Sequence, residues 1–257
     1  MQLGPSYWNE TVRDYQLRRT SEILRGPLEW SLDLTNQCVG KCLHCFNRSG
    51  RLPRDEMDDH TVLQVVRQIA EIRPLGLCLC GGEPLLRSGL AYRVVELLSD
   101  AKVLVNMVTS GALVTPEVAC NLKNSGIKMV QVSLDGASAE SHDRLRQKPG
   151  AFKLAVQALM YLKEAGITTS VAFSPTRFNT EEFAEVIALS ERLSVTDLRI
   201  QPLMPIGEAL FHWEEIVPSP VQYQRLVDLL RERACETRSR LKIVWGDPVD
   251  HLIRFGQ

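Results

Sequence analysis

Cys38-Val39-Gly40-Lys41-Cys42-Leu43-His44-Cys45 sets three thiols at C-x3-C-x2-C spacing within eight residues. A thiolate is both a soft metal ligand and a nucleophile, so three on one short loop need a shared chemistry. Fully extended, eight residues reach at most about 28 Å, so the loop must fold back for the sulfurs to meet, and Gly40 permits that. Iron–sulfur clusters normally take four thiolates. Three on the loop and no fourth nearby leave one iron open to an outside ligand, as a catalytic metal requires. The inorganic rival is zinc with His44 as fourth ligand, although structural zinc usually draws on two separated ligand pairs.

A second group with chemical potential is Gly81-Gly82-Glu83-Pro84. Two readings stand side by side: a plain turn between strand and helix, or glycines that let a ligand approach the backbone, with Glu83 offering a carboxylate to a cation such as an amino group. Further on come Thr109-Ser110-Gly111, Ser133-Leu134-Asp135-Gly136, then His142-Asp143-x-x-Arg146, and Gln201-Pro202-Leu203-Met204-Pro205. His142, Asp143 and Tyr161 read as structural, and no substrate-specific acid, base or radical relay is identified. Of the seven cysteines, the remaining four (Cys78, Cys80, Cys120 and Cys235) read as small buried hydrophobes. An odd count in a chain of this size argues for metal or catalytic use over a disulfide framework.

The elements that must position these groups follow from periodicity. A helix is expected over residues 9–25, stopped by Gly26 and Pro27. Apolar strands are expected over Leu28–Thr35, Leu75–Cys80, Val103–Val108, Ile127–Leu134, Ile167–Phe173 and Val195–Gln201, with a last one at Leu241–Trp245. Between them lie helices: one carrying Val62, Val65, Val66, Ile69 and Ile72, then Leu90–Leu98, one capped by Thr115 with Pro116 first, Ala151–Glu164, Thr180–Leu193 and Pro220–Arg238. Strand–helix alternation predicts right-handed βαβ crossovers and a parallel sheet. No G-x-G-x-x-G follows the first strand, so a dinucleotide fold is disfavoured. The expected architecture is α/β, a partial (β/α)6 TIM-type barrel. Residues 1–27 form an N-terminal helical segment, 28–240 the barrel, and 241–257 the start of a C-terminal extension. In such a barrel the strand C-termini carry the functional loops, and every group named above falls on one.

Cys38-x3-Cys42-x2-Cys45 on the first β/α loop, followed in order by Gly-Gly-Glu-Pro after the second strand, resembles the radical S-adenosylmethionine (radical SAM) superfamily. Thr-Asn-Gln-Cys, Ser-Leu-Asp-Gly, His-Asp-x-x-Arg and Met204–Ala209 are similar to its SPASM/twitch-type branch of peptide maturases, sulfatase-maturing enzymes and haem-biosynthesis enzymes. The resemblance implies that Cys38, Cys42 and Cys45 hold a [4Fe–4S] cluster whose open iron binds S-adenosylmethionine, and that reductive cleavage yields a 5′-deoxyadenosyl radical that abstracts a substrate hydrogen. It implies that Gly81, Gly82, Glu83 and Pro84 receive the methionine amino group. His44 packs against cluster and adenine, Ser133 contacts ribose or carboxylate, Arg146 pairs with the carboxylate and Leu203 flanks adenine. Ser110 stands where relatives usually have Asn. No cysteine follows Cys235, so the chain is expected to be truncated or to lack auxiliary clusters.

The expected substrate is a peptide, with a small molecule such as a tetrapyrrole as the alternative. The expected electron source is an external donor of flavodoxin or ferredoxin type. A non-catalytic iron–sulfur protein is the reading from another class. A formal net charge of −1 provides no electrostatic case for nucleic acid or membrane binding. No apolar run approaches a membrane span, and the first 25 residues lack a signal-like apolar stretch, so the expected location is cytoplasmic.

Overall fold

Alternation along each strand separates two environments. The strands are β1 (Glu29–Asp33), β2 (Gly76–Cys80), β3 (Leu104–Thr109), β4 (Met129–Ser133), β5 (Thr168–Phe173), β6 (Asp197–Ile200) and β7 (Lys242–Trp245). Leu77, Leu79, Val105, Met107, Val130, Val132, Val171, Phe173, Leu198 and Ile200 point outward into one apolar core shared with the helices. The intervening residues, including Ser31, Cys78, Asn106, Gln131, Ser170 and Arg199, therefore face the other way, into the barrel lumen. Outside is a packed apolar layer, and inside is a polar surface.

This computed structural model describes residues 26–50, 55–234 and 241–246. The helix expected over residues 9–25 lies outside them, as does Cys235. All seven strands run parallel in the order β1-β2-β3-β4-β5-β6-β7. Each strand lies beside its sequence predecessor, so same-handed crossovers put every helix on one face and the sheet curls. A doubly wound sheet would reverse order partway, and this one does not. The strand at Leu241–Trp245 pairs parallel with β6 and prolongs the barrel sheet itself.

Helix ends follow local chemistry. Asp58 accepts the Thr61 N–H at 2.7 Å to start α1 (Asp59–Ile72), which buries Val62, Leu63, Val66 and Ile69. After α2 (Ser88–Asp100), α3 (Pro116–Ser125) begins with the expected Thr115 cap and Pro116. One helix was not anticipated as an element: α4 (Ala139–Arg146), capped by Ser138 through the Ser141 N–H. Its apolar residues are Ala139 and Leu145 alone, so periodicity does not reveal it. Then come α5 (Ala151–Glu164), α6 (Phe183–Arg192), two single-turn helices at Glu208–Phe211 and Trp213–Ile216, and α7 (Pro220–Ala234). Among the described residues, no helix is long and apolar enough to cross a membrane.

Two readings of the cysteines outside the first loop are corrected. Cys120 is exposed on α3, because it lies on the face opposite Ala119 and Leu122. Cys78 and Cys80 are half-buried lumen residues rather than core hydrophobes, with their sulfurs 3.2 Å apart and Ser31 Oγ 3.6 Å from Cys80. Their hydrogen bond and burial push the Cys78 thiol up, while the same bond pulls Cys80 down.

Candidate active site

The cysteine loop leaves β1 and is clamped from four directions. The Gly50 N–H donates to the Asn36 carbonyl at 2.7 Å, closing the loop at its base. The Leu43 N–H donates to the Leu145 carbonyl at 3.0 Å, and the Lys41 N–H to the Arg146 carbonyl at 3.4 Å. The last turn of α4 thus lends its unpaired carbonyls to the loop. The Leu43 side chain plugs a small apolar cluster with Leu145, Ala209 and Ile216, against which Leu203 packs. From the far side, Glu208 donates its N–H to the Cys45 carbonyl at 2.8 Å, and its carboxylate holds Arg48 Nε at 2.8 Å. Gly207, at φ +62°, lies so close that a Cβ there would stand 2.2 Å from the Phe46 carbonyl oxygen.

The Gly81–Pro84 turn is the fourth clamp. The Gly82 N–H donates to the Thr35 carbonyl at 2.7 Å and the Glu83 N–H to the Gln37 carbonyl at 2.8 Å. A Cβ on Gly82 would fall 1.9 Å from the Gln37 carbonyl oxygen, and one on Gly81, at φ +123°, 2.4 Å from that of Thr35. These glycines are demanded by contact between two loops. Glu83 is fully buried, and its carboxylate accepts from Thr109 Oγ1 at 2.7 Å, Ser110 N–H at 2.9 Å and Ser110 Oγ at 2.6 Å. It therefore stands behind the turn and ties the second rim loop to the third. Ser110 thus has a partner in this arrangement.

A buried ion pair backs the thiols. Asp135 is wholly buried and receives Arg146 Nε at 2.6 Å and Nη2 at 2.5 Å, plus the Ser174 N–H at 2.8 Å. Burial opposes the carboxylate charge, but the guanidinium outweighs it and holds the Asp135 pKa below its ordinary value. Arg146 Nη1 reaches 3.7 Å from Cys42 Sγ. Burial pushes up both the Cys38 and Cys42 thiols, and only the Arg146 charge among the larger influences on Cys42 opposes that rise. His44 Nε2 lies 3.9 Å from Asp135, its Nδ1 is buried without a partner, and burial lowers its pKa to about 4.

The structure thus gathers Cys38, Cys42, Cys45, His44, Arg146 and the Gly81–Pro84 turn on one rim. Ser133, the last residue of β4, is buried on the lumen face below them, and Leu203 packs against the apolar cluster that includes Leu43. His142 has a structural duty: its Nδ1 accepts the Asp135 N–H at 2.9 Å. Asp143 accepts the N–H groups of Gly150 and Phe152 and starts α5. Sequence reasoning gave no role to Asp135 or Glu208. The first was visible only as part of Ser-Leu-Asp-Gly, the second only as part of the Met204–Ala209 run.

The donor set fits an iron–sulfur cluster. Neighbouring thiols raise one another's pKa, so they share one locale, and their burial makes a thiolate unstable unless a cation joins it. The Arg146 N–H and the Ser49 N–H, 3.4 Å from Cys45 Sγ, are the kind of donors that sulfur ligands of a cluster accept.

Three outcomes follow. Gly82→Ala must drive the Gln37 carbonyl away and distort the approach to Cys38. Circular dichroism is expected to report an intact barrel, while iron bound per chain after anaerobic reconstitution drops several-fold. Asp135→Asn strands a buried guanidinium, so the urea unfolding free energy of the apo chain is expected to fall by about 3–5 kcal/mol. His142 is neutral when folded, its pKa lowered to about 4 by burial and by Arg146. The unfolded ring protonates near pH 6.5, so its contribution is complete above that pH and is lost as pH falls toward about 4. His142→Gln, whose amide oxygen can still accept the Asp135 N–H, is expected to flatten the fall of the urea midpoint across this window.

The chain is similar to proteins already known. The chain is 32% identical over 234 residues to mycofactocin maturase MftC of Mycolicibacterium smegmatis, covering 91% of this chain and 57% of that protein. It is 30% identical over 211 residues to the AdoMet-dependent heme synthase of Methanosarcina barkeri, covering 82% and 59%. The chain therefore spans little more than half the length of these relatives. Streptococcus suis SuiB, solved bound to S-adenosylmethionine, superposes with a TM-score of 0.73 at 16% identity, covering 93% of this chain and 55% of that one. SuiB has also been solved bound to the precursor peptide SuiA. The Radical SAM superfamily matches residues 32–190, and the chain belongs to that superfamily.

Proposed function

We propose that this chain is the catalytic core of a radical SAM enzyme that removes a hydrogen atom from a peptide held in the barrel. The observation that carries the reading is the common rim of three thiols, the Gly81–Pro84 turn and Arg146, with Ser133 on the polar lumen face just below it. When bound, a [4Fe–4S] cluster with S-adenosylmethionine supplies reductive C–S cleavage and a primary carbon radical able to take hydrogen from an unactivated carbon.

The protein's part is to bind, orient and exclude water. Cys38, Cys42 and Cys45 hold the cluster. The Gly81–Pro84 turn receives the methionine amino group, with the Glu83 carboxylate fixing the turn from behind. Arg146 spends Nε and Nη2 on Asp135, which leaves Nη1 to serve both Cys42 and, together with Ser133, the methionine carboxylate. His44 and Leu203 flank the adenine. An external one-electron donor of flavodoxin or ferredoxin type is the partner this chemistry needs.

A peptide substrate is supported by the likeness to a maturase and by the SuiB fold seen with its precursor peptide. The likeness to a heme synthase favours a second reading, a tetrapyrrole.

The test is anaerobic reconstitution with iron and sulfide, then dithionite and S-adenosylmethionine. 5′-Deoxyadenosine is expected from the native chain, while Cys42→Ala is expected to lose both the brown chromophore and the nucleoside. An intact cluster that yields no 5′-deoxyadenosine sinks the enzyme reading in favour of a non-catalytic iron–sulfur protein. Deuterium passing to the nucleoside from a labelled peptide encoded beside the gene supports the peptide assignment, and passage only from a labelled tetrapyrrole selects the second.

A further inference from the structure

We propose that the lumen wall around Arg199 is a subsite for a substrate carboxylate carried next to an amide N–H, as in an acidic or C-terminal peptide residue. The proposal rests on the reading of the barrel as the reaction chamber.

Leu198 and Ile200 point into the outer core, so Arg199 between them points into the lumen. Its Nε is closed off from solvent with no hydrogen-bond partner, and among the described residues it forms no ion pair. Cys78 lies close enough to feel the Arg199 charge. Strand register puts Ser31 on one side of Cys78 and Asn106 on the other, so the three share one rung of the wall. Asn106 is 9% exposed, and its Oδ1 is buried without a partner.

The carboxylates of this wall are engaged elsewhere. Asp33 accepts from Asn47 Nδ2 at 3.2 Å, and Asp197 accepts from Ser170 Oγ at 2.6 Å. Arg199 is half-buried, but an Nε shut from water without an acceptor is costly, and a planar carboxylate can satisfy Nε and a more open Nη together. Asn106 Oδ1, an acceptor, calls for a donor that a carboxylate lacks. One ligand meets both needs when it carries a carboxylate and an amide N–H. Two sources share that chemistry: an Asp or Glu side chain, and a peptide C-terminus.

The experiment measures binding of three probes to the cluster-loaded chain with S-adenosylmethionine present, by ligand-observed NMR: N-acetyl-glutamate N-methylamide, N-acetyl-alanine with a free carboxylate, and N-acetyl-glutamine N-methylamide. At least one acid is expected to bind about tenfold or more tighter than the neutral amide, the scale of a charged hydrogen bond. Which acid wins identifies the source. Arg199→Gln is expected to erase the preference and Arg199→Lys to restore part of it, with iron content confirming that each variant is loaded. Equal binding of acids and amide by the native chain overturns the proposal, as does a preference that survives in Arg199→Gln. The native comparison needs no variant, so a misfolded Arg199→Gln leaves the test intact. Failure of the enzyme reading is seen separately, as absent 5′-deoxyadenosine from the same preparation.

Discussion

The buried pair of Asp135 and Arg146 joins the end of β4 to the end of α4, and the rest of the site leans on it. Neither charge is tenable alone at that depth. Asp135 also takes the Ser174 N–H from the end of β5, while Arg146 reaches Cys42 with Nη1. One ion pair thus reports to two strand ends, to the end of α4 and to the middle thiol. Because the carbonyls of Leu145 and Arg146 receive the loop N–H groups, fixing α4 also fixes the cysteine loop in height and rotation.

Around that centre, the rim is made of loops stapled to one another rather than loops reaching separately for a ligand. Gly82 lies against Gln37, Glu83 gathers Thr109 and Ser110, and Glu208 holds Cys45 and Arg48. Each of these staples ties up a backbone or carboxylate group in holding another loop. Rigid support of this kind limits motion at the thiols, as a metal site requires of the groups around its ligands. Below the rim, the polar lumen contrasts with the apolar outer layer, and Arg199 and Asn106 keep unpartnered atoms within it.

Much of this was legible in the residues. Three thiols at C-x3-C-x2-C spacing, the Gly81-Gly82 pair after the second strand and six strand–helix repeats led to the barrel and to loops at its strand ends, because side-chain periodicity and turn chemistry are local properties. The short α4 escaped, since eight residues with only Ala139 and Leu145 apolar, stabilised by one buried pair and a cap, carry no helical stripe. Cys78 and Cys80 were misjudged as core because alternation does not tell which face of a barrel strand is the apolar one.

What the sequence by itself determined is the chemistry available: which thiols, which turn, and which strands carry them. The tertiary structure alone decided the duties. It turned Glu83 inward to bind Ser110, paired Arg146 with Asp135, and left Nε of Arg199 without a partner among the described residues. Those outcomes depend on contacts between residues far apart in the chain, and a buried charge takes its role from whichever group the fold brings within reach.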